Sequence, residues 1–210
     1  MGSLQEMIET LERDQAIELI TQRLSSGENP VAILNDCREG MTRIGELFQE
    51  GDYFLAELLL SAEIFKEAAA LLSPHLQKEG ATDVCGTIIL ATMRGDVHDL
   101  GKNILATLLR AQSFDVHDLG VNVEPTDLLQ KVKEIEPDFV GLSALITTSF
   151  ESSKQAVDML EEEGLRGKFK LLVGGGVTTN TFKDHIGADF QTHDASAGVE
   201  YCIEYMRKAG

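Results

Sequence analysis

Residues 86–111 read GTIILATMRGDVHDLGKNILATLLRA, and the pattern changes twice along this stretch. The first part is a short apolar run rich in β-branched residues, which predicts a strand. The last part has apolar residues at helical spacing, which predicts a helix. Between them, DVHDLG at 96–101 places a histidine between two acidic residues. An incidental residue at the start of a helix, an acid–base catalyst and a metal ligand are all open interpretations of that histidine.

The same alternation of strand and helix continues to the end of the chain. FDVHDLG, DFVGLSAL, FKLLVGGG and ADFQTH predict four more strands, and a helical pattern follows each of them. Five strands alternating with five helices predict a parallel sheet covered on both faces. We therefore expect residues 85–210 to form a doubly wound, flavodoxin-like α/β domain with strand order 2-1-3-4-5.

The first part of the chain, residues 1–84, contains no convincing strand. Its apolar residues recur at three- and four-residue spacing, which predicts three or four helices in a small bundle. Asn29 is a candidate N-cap with Pro30 at the first helical position, and Gly51 is expected to end that helix. A long helix is expected to follow up to Gly80, with Pro74 as a kink or the start of a new turn.

Composition excludes several classes of function. The net charge is −17, and both parts of the chain carry an excess of acidic residues, which argues against binding to nucleic acid. No apolar run approaches the roughly 18 residues that indicate a membrane span, and the N-terminus lacks the pattern of a secretory signal. Cys37, Cys85 and Cys202 form no CxxC pair, so we expect buried thiols in a reducing cytoplasm.

Three unusual segments follow predicted strands and are expected to meet at one edge of the sheet. In DVHDLG, Asp96 can accept a hydrogen bond from one ring nitrogen of His98 and leave the other nitrogen free for a ligand. SALITTS, at 143–149, offers hydroxyl groups to a ligand or to a helix terminus. GGGVTT, at 174–179, either allows close approach of a ligand or forms a tight turn.

These three segments together resemble the cobalamin-binding domain. DVHDLG fits its Asp-x-His-x-x-Gly signature, SAL fits its Ser-x-Leu, and GG fits its Gly-Gly, in the same order and at matching strand ends. The helical segment, above all GELFQEGDYFLAELLLSAEIFKEA, is similar to the cap module fused to such domains in methionine synthase and in corrinoid proteins of methyltransferase systems. The resemblance covers almost the whole chain.

The resemblance implies a role for each matching residue. His98 would be the lower axial ligand of cobalt, displacing the nucleotide base of the cofactor, and Asp96 would hold its other nitrogen, with Ser149 extending that relay. Ser143 and Thr147 would contact the nucleotide tail or the corrin. No role is assigned to His193. The cofactor-binding residues implied in this way are Gly95, Asp96, Val97, His98, Asp99, Gly101, Ser143, Leu145, Ile146, Thr147, Gly174, Gly175, Gly176, Phe190, Asp194 and Ala195.

The resemblance also implies a function, that of a methyl carrier whose cofactor alternates between methylcobalamin and cob(I)alamin. Expected partners are a substrate:corrinoid methyltransferase, a second methyltransferase acting on tetrahydrofolate or a thiol, and a reductive activase. The chain is too short to include a catalytic barrel of about 250 residues. Methanol, methylamines, aryl methyl ethers, betaines and thiols all stay open as methyl donors.

The helical segment would cover the methyl-bearing face of the corrin and would have to move during the cycle. The candidate lining residues are Met41, Ile44, Phe48, Phe54 and Leu58, for which packing inside the bundle is the alternative. Two other functions stay open: a cobalamin-sensing regulator and the small subunit of a cobalamin-dependent mutase. A regulator would need a DNA-binding module, for which no basic helix is evident, and a mutase subunit would not need the cap.

Overall fold

The computed structural model of the chain describes residues 2–78 and 85–209, which fall into two compact units, Met1–Asp83 and Val84–Gly210. The first unit is helical, as predicted. Its helices are α1 (Leu4–Glu9), α2 (Arg13–Ser25), α3 (Pro30–Glu50) and α4 (Leu55–Lys78).

Local sequence signals set the ends of α3. The side chain of Asn29 accepts a hydrogen bond of 2.7 Å from the Val31 N–H, and Pro30 is the first helical residue. Gly51 ends the helix in the left-handed region, at a φ of 84°. Helix α4 continues through Pro74, and its predicted end at Gly80 lies outside the described residues.

The five candidate lining residues of the helical unit differ in burial. Met41, Ile44 and Leu58 are buried in its core. Phe48 is partly buried, whereas the side chain of Phe54 is 69% exposed. Packing inside the bundle therefore accounts for three of the five residues, and Phe54 presents its ring to solvent.

The second unit alternates strands and helices as predicted. Its strands are β1 (Gly86–Thr92), β2 (Phe114–Asp118), β3 (Phe139–Ser143), β4 (Lys170–Gly174) and β5 (Phe190–Thr192). Its helices are α5 (Leu100–Ala111), α6 (Pro125–Ile135), α7 (Phe150–Glu162), α8 (Asn180–Ile186) and α9 (Ala195–Ala209). Within residues 85–209 the five strands form one parallel sheet in the order β2-β1-β3-β4-β5, which confirms the predicted topology.

Strand register brings the ends of four strands into one row. Thr92 pairs with Ser143, Ser143 with Gly174, and Gly174 with Thr192. The apolar residues that alternate with this row, among them Ala91, Leu142 and Val173, pack with α6, α7 and α8 in one core. The row therefore faces the opposite side of the sheet, where α5 and α9 pack together.

Two of the three cysteines are buried, as predicted, and the third is only partly buried. Cys37 and Cys202 are buried, and burial raises the pKa of each thiol to about 12. Cys85 is partly buried.

Among the helices that the structure describes, none is both long and apolar enough to cross a bilayer.

Candidate functional site

The loop between β1 and α5 is centred on a buried carboxylate. One oxygen of Asp96 accepts hydrogen bonds from the His98 N–H, at 3.0 Å, and from the His98 ring Nδ1, at 2.7 Å. Its other oxygen accepts the N–H groups of Leu145, at 2.7 Å, and Ile146, at 3.3 Å. Asp96 thus ties the first edge loop to the loop after β3.

The hydrogen bonds that Asp96 accepts keep its carboxylate ionised. Burial alone would raise the pKa of Asp96, but the hydrogen bonds from Leu145, His98 and Ile146 outweigh burial and lower it. Because the carboxylate is ionised and accepts the bond, the ring proton lies on Nδ1 of His98. In the part of the chain that the structure describes, every hydrogen bond of this ring runs through Nδ1, and the side chain is 49% exposed. The other nitrogen, Nε2, is therefore available to a ligand.

Ser149 is connected to this pair through the main chain. Its hydroxyl donates to the Ile146 carbonyl at 2.9 Å, and the Ile146 N–H is one of the donors to Asp96. The short 3-10 turn Thr147–Ser149 directs the hydroxyl back along the chain rather than towards Asp96. The link from Asp96 to Ser149 in this geometry runs through the N–H and the carbonyl of Ile146, which differs from a direct side-chain bond.

The glycine loop after β4 approaches the loop after β3 very closely. The Ala144 N–H donates to the Gly174 carbonyl at 2.9 Å. Gly175 has a φ of 105°, and a Cβ there would collide with the Ala144 carbonyl oxygen. Contact between two protein loops is thus enough to require glycine at 175, which favours the tight-turn interpretation for that position.

A small network holds the glycine loop against the end of β5. The buried Thr178 donates its hydroxyl to the Gly175 carbonyl at 2.9 Å and accepts the Gln191 amide at 3.1 Å. Nε2 of His193 lies 2.7 Å from the Thr178 carbonyl. His193, to which the sequence assigned no role, therefore helps to join the glycine loop after β4 to the segment after β5.

The remaining candidates after β5 have structural contacts of their own. Phe190 stacks on Tyr201 with ring centroids 4.3 Å apart. The Asp194 carboxylate accepts the Ser196 N–H at 2.8 Å, just inside the start of α9 at Ala195. These contacts are sufficient to explain Phe190 and Asp194 without a ligand.

Three large apolar side chains of the two loops joined by Asp96 and of the adjoining helix are exposed. Val97 and Leu145, both candidates from the sequence, are exposed, and so is Leu100 in the first turn of α5. Ser143 is partly buried and Thr147 is exposed at the same edge. Exposed apolar side chains at the same edge as an available ring nitrogen suit a flat, largely apolar ligand.

Two further residues fix this loop, and no motif in the sequence pointed to them. Thr92 donates its hydroxyl to the His98 carbonyl at 3.0 Å. Asn122 donates its N–H to the Asp96 carbonyl at 3.0 Å and accepts the Gly95 N–H at 2.9 Å. The signal for Thr92 is a polar residue at the last position of β1, directly after four apolar residues.

The fold and the geometry of this edge fit a cobalamin-binding α/β domain preceded by a helical unit. A family model described as a B12 binding domain matches residues 86–200, which is more than half of the chain. A second model, also described as a B12 binding domain, matches residues 3–73. The chain belongs to the family of cobalamin-binding corrinoid proteins, and its cofactor is cobalamin, which carries cobalt.

Individual relatives agree with this assignment over nearly the full length. Dimethylamine corrinoid protein 2 from Methanosarcina mazei is 33% identical over 97% of this chain and 95% of its own length. A cobalamin-binding protein from Desulfitobacterium hafniense has a similar crystal structure, with a TM-score of 0.83, 32% identity and 96% of both chains covered. A chain in the methanol:cobalamin methyltransferase complex MtaBC from Methanosarcina barkeri gives a TM-score of 0.82 at 28% identity, covering 98% of this chain and 78% of that one.

The residues at the edge fit this cofactor. A neutral imidazole with a free nitrogen is a suitable ligand for cobalt, and a carboxylate on its other nitrogen is the usual outer partner of such a ligand. His98 and Asp96 have this arrangement, at 2.7 Å. The exposed side chains of Val97, Leu100 and Leu145 offer apolar contact area to a corrin ring.

Proposed function

We propose that this protein is the methyl-carrying corrinoid subunit of a methyltransferase system. It would receive a methyl group from a substrate-specific methyltransferase and deliver it to a second methyltransferase acting on tetrahydrofolate or a thiol. A reductive activase would restore the cofactor after accidental oxidation. The observation that carries this proposal is the half-exposed His98 ring, fixed through Nδ1 by a buried carboxylate and free at Nε2.

In this proposal the cofactor binds with its own base displaced and with His98 as the lower ligand. Bound cobalamin would supply the carbon–cobalt chemistry, and the protein would orient and tune it. Asp96 selects the ring tautomer that leaves a lone pair on Nε2. Because Asp96 is also held by the N–H groups of Leu145 and Ile146, the carboxylate keeps its place when the ring moves.

We assign cofactor binding to residues 85–210 and the cap to residues 1–84. The likeness to a dimethylamine corrinoid protein and to a chain of a methanol:cobalamin methyltransferase complex supports a substrate:corrinoid methyltransferase as the first partner. Methylamines and methanol are accordingly the donors to test first. The acceptor enzyme and the activase follow from the chemistry, because a carrier must be unloaded and kept reduced.

The ligand assignment can be tested on the purified protein with hydroxocobalamin. Protein containing histidine labelled with heavy nitrogen is reconstituted and reduced by one electron, and the electron paramagnetic resonance of cobalt(II) is recorded. A bond to labelled histidine splits the signal differently from a bond to the cofactor's own base. We expect the histidine pattern in the wild type and its loss in His98→Ala.

The chain supplies a matched control for this test. His117 lies in an identical hexapeptide, bonded to Asp115 at 3.1 Å, on the outer strand β2. His117→Ala should retain the histidine pattern. A histidine pattern that survives His98→Ala would overturn the assignment of the ligand.

The carrier role needs a separate test. The reconstituted protein, reduced by two electrons to the cob(I)alamin form, is incubated with candidate substrate methyltransferases and a panel of mono-, di- and trimethylamine and methanol, and methylation of the cofactor is followed by its visible spectrum. We expect methylation with one enzyme–donor pair and demethylation on adding an acceptor methyltransferase. Tight cofactor binding without methylation by any pair would instead favour a sensor.

A further inference from the structure

The main chain of His98 is held by a residue outside its own loop. Thr92, the last residue of β1, is buried and donates its hydroxyl to the His98 carbonyl at 3.0 Å. Thr92 itself is fixed, because its N–H donates to the Gly120 carbonyl and its carbonyl accepts the Val123 N–H, each at 3.0 Å. The hydroxyl therefore acts from a rigid strand end.

This bond completes a three-point hold on His98. Asp96 holds the N–H and Nδ1 of His98 on one side of the residue. Thr92 holds the carbonyl on the other side. With the carbonyl released, the peptide after His98 could rotate, and a small rotation there displaces Nε2 because the ring extends several bonds from the main chain.

We propose that Thr92 is a positioning residue for His98, and that its hydroxyl keeps Nε2 where an axial ligand of cobalt has to be. This inference rests on the proposed role of His98 as that ligand. Thr92 does not touch the metal in this proposal. It acts through the His98 carbonyl and so sets how much of the bound cofactor is ligated by histidine.

The geometry favours this role over simple packing. Thr92 lies in the row with Ser143 and Gly174, and the other buried side chains of its strand are aliphatic. Valine has nearly the same shape as threonine, so packing alone does not call for a hydroxyl at this position. The acceptor of the hydroxyl is six residues further along the chain, beyond the turn, rather than in the preceding strand.

The test compares Thr92→Val, which removes the hydroxyl and keeps the shape, with Thr92→Ser, which keeps the hydroxyl. The probe is hydroxocobalamin bound to histidine-labelled full-length protein and reduced to cobalt(II), with the histidine-ligated fraction as the readout. We expect Thr92→Val to lower the equilibrium constant for histidine ligation about 2- to 10-fold, the usual weight of one hydrogen bond. Thr92→Ser should restore it.

Thr87→Val is the matched control, because Thr87 lies at the opposite end of the same strand. It should leave the histidine-ligated fraction at the wild-type value. If Thr92→Val does not fold, Thr92→Ala takes its place, since it removes the same hydroxyl without adding a methyl group to the edge.

The outcomes separate this inference from the proposed function. Loss of the histidine signal in His98→Ala together with a wild-type fraction in Thr92→Val would overturn the role of Thr92 and leave the ligand assignment intact. Equal losses in Thr92→Val and Thr92→Ser would assign the effect to packing and also overturn it. No histidine signal in the wild type would remove the ligand assignment on which this inference rests, and the carrier role would then depend on its separate methylation test.

Discussion

The hexapeptide Asp-Val-His-Asp-Leu-Gly occurs twice in this chain, at 96–101 and at 115–120, and the two copies differ in conformation and environment. The first copy leaves β1 as a loop and enters α5. The second begins inside β2, paired in parallel along β1. The same six residues therefore form a candidate ligand site in one place and an edge strand in the other.

The first three positions show the difference most clearly. The Asp96 side chain is fully buried, whereas that of Asp115 is 56% exposed. Asp96 binds Nδ1 of its histidine and two N–H groups of another loop, whereas Asp115 binds Nε2 of His117 at 3.1 Å across the strand surface. A short motif thus acquires its chemistry from the donors that surround it.

At the fourth position the second copy has the stronger contact. Asp99 precedes α5, and its side chain makes no capping bond. Asp118 binds the ammonium group of Lys102 through both oxygens at 2.6 Å and accepts the Gly120 N–H at 2.8 Å. The Lys102 side chain is only 2% exposed, so the second copy anchors the helix that follows the first.

The largest expected effect concerns the fourth residue of each copy, Asp118 compared with Asp99. Asp118→Ala leaves the buried Lys102 ammonium without its carboxylate, and should lower the free energy of unfolding by about 3 kcal/mol, the lower end for a broken buried pair. The lower end applies because the Asp118 side chain is 22% exposed. Asp99→Ala should change it by less than about 0.5 kcal/mol. Urea denaturation measures both, and equal losses would contradict the anchoring role.

The second comparison is Asp96→Asn against Asp115→Asn. Asparagine at 96 has one acceptor oxygen, and its amide would face N–H donors that the carboxylate now satisfies. We expect a loss of about 1–3 kcal/mol in the free energy of unfolding and a smaller histidine-ligated fraction of cobalt(II). Asp115→Asn is the exposed control. It should leave the histidine-ligated fraction unchanged and change the free energy of unfolding by no more than about 0.5 kcal/mol. Similar behaviour of the two variants would remove the distinction between the copies.

The sequence predicted the fold well because the alternation of strand and helix is a local signal. The site was less determined, because Asp-x-His-x-x-Gly matches both copies equally. Choosing His98 depended on its place after the first strand and on the Ser-x-Leu and Gly-Gly segments that follow. The donors to Asp96, the direction of the Ser149 hydroxyl and the bond of His193 depend on loop conformation, which no residue pattern in the sequence encodes.

Lys102→Met tests the same ion pair from the other side, and a smaller effect is expected. Methionine has a similar volume and needs no counter-charge, while Asp118 keeps the Gly120 N–H and some contact with water. We expect a loss of about 1 kcal/mol or less by urea denaturation. A loss as large as that of Asp118→Ala would mean that the carboxylate, rather than the buried ammonium, is the group that needs its partner.

The smallest effect concerns Asn122, which lies outside the first copy and hydrogen-bonds to Gly95 and Asp96. Asn122 has a φ of 53° and accepts the Gly95 N–H, which is exposed to solvent. Asn122→Gly keeps the left-handed conformation without strain, and water can replace the lost acceptor, so we expect less than about 0.5 kcal/mol of destabilisation. Asn122→Ala has to adopt the same φ with a Cβ and should cost about 1 kcal/mol. Equal losses in the two variants would show that the bond to Gly95, and not the backbone conformation, is what this loop requires. The second copy needs no such residue, because its strand is held by the main-chain ladder to β1.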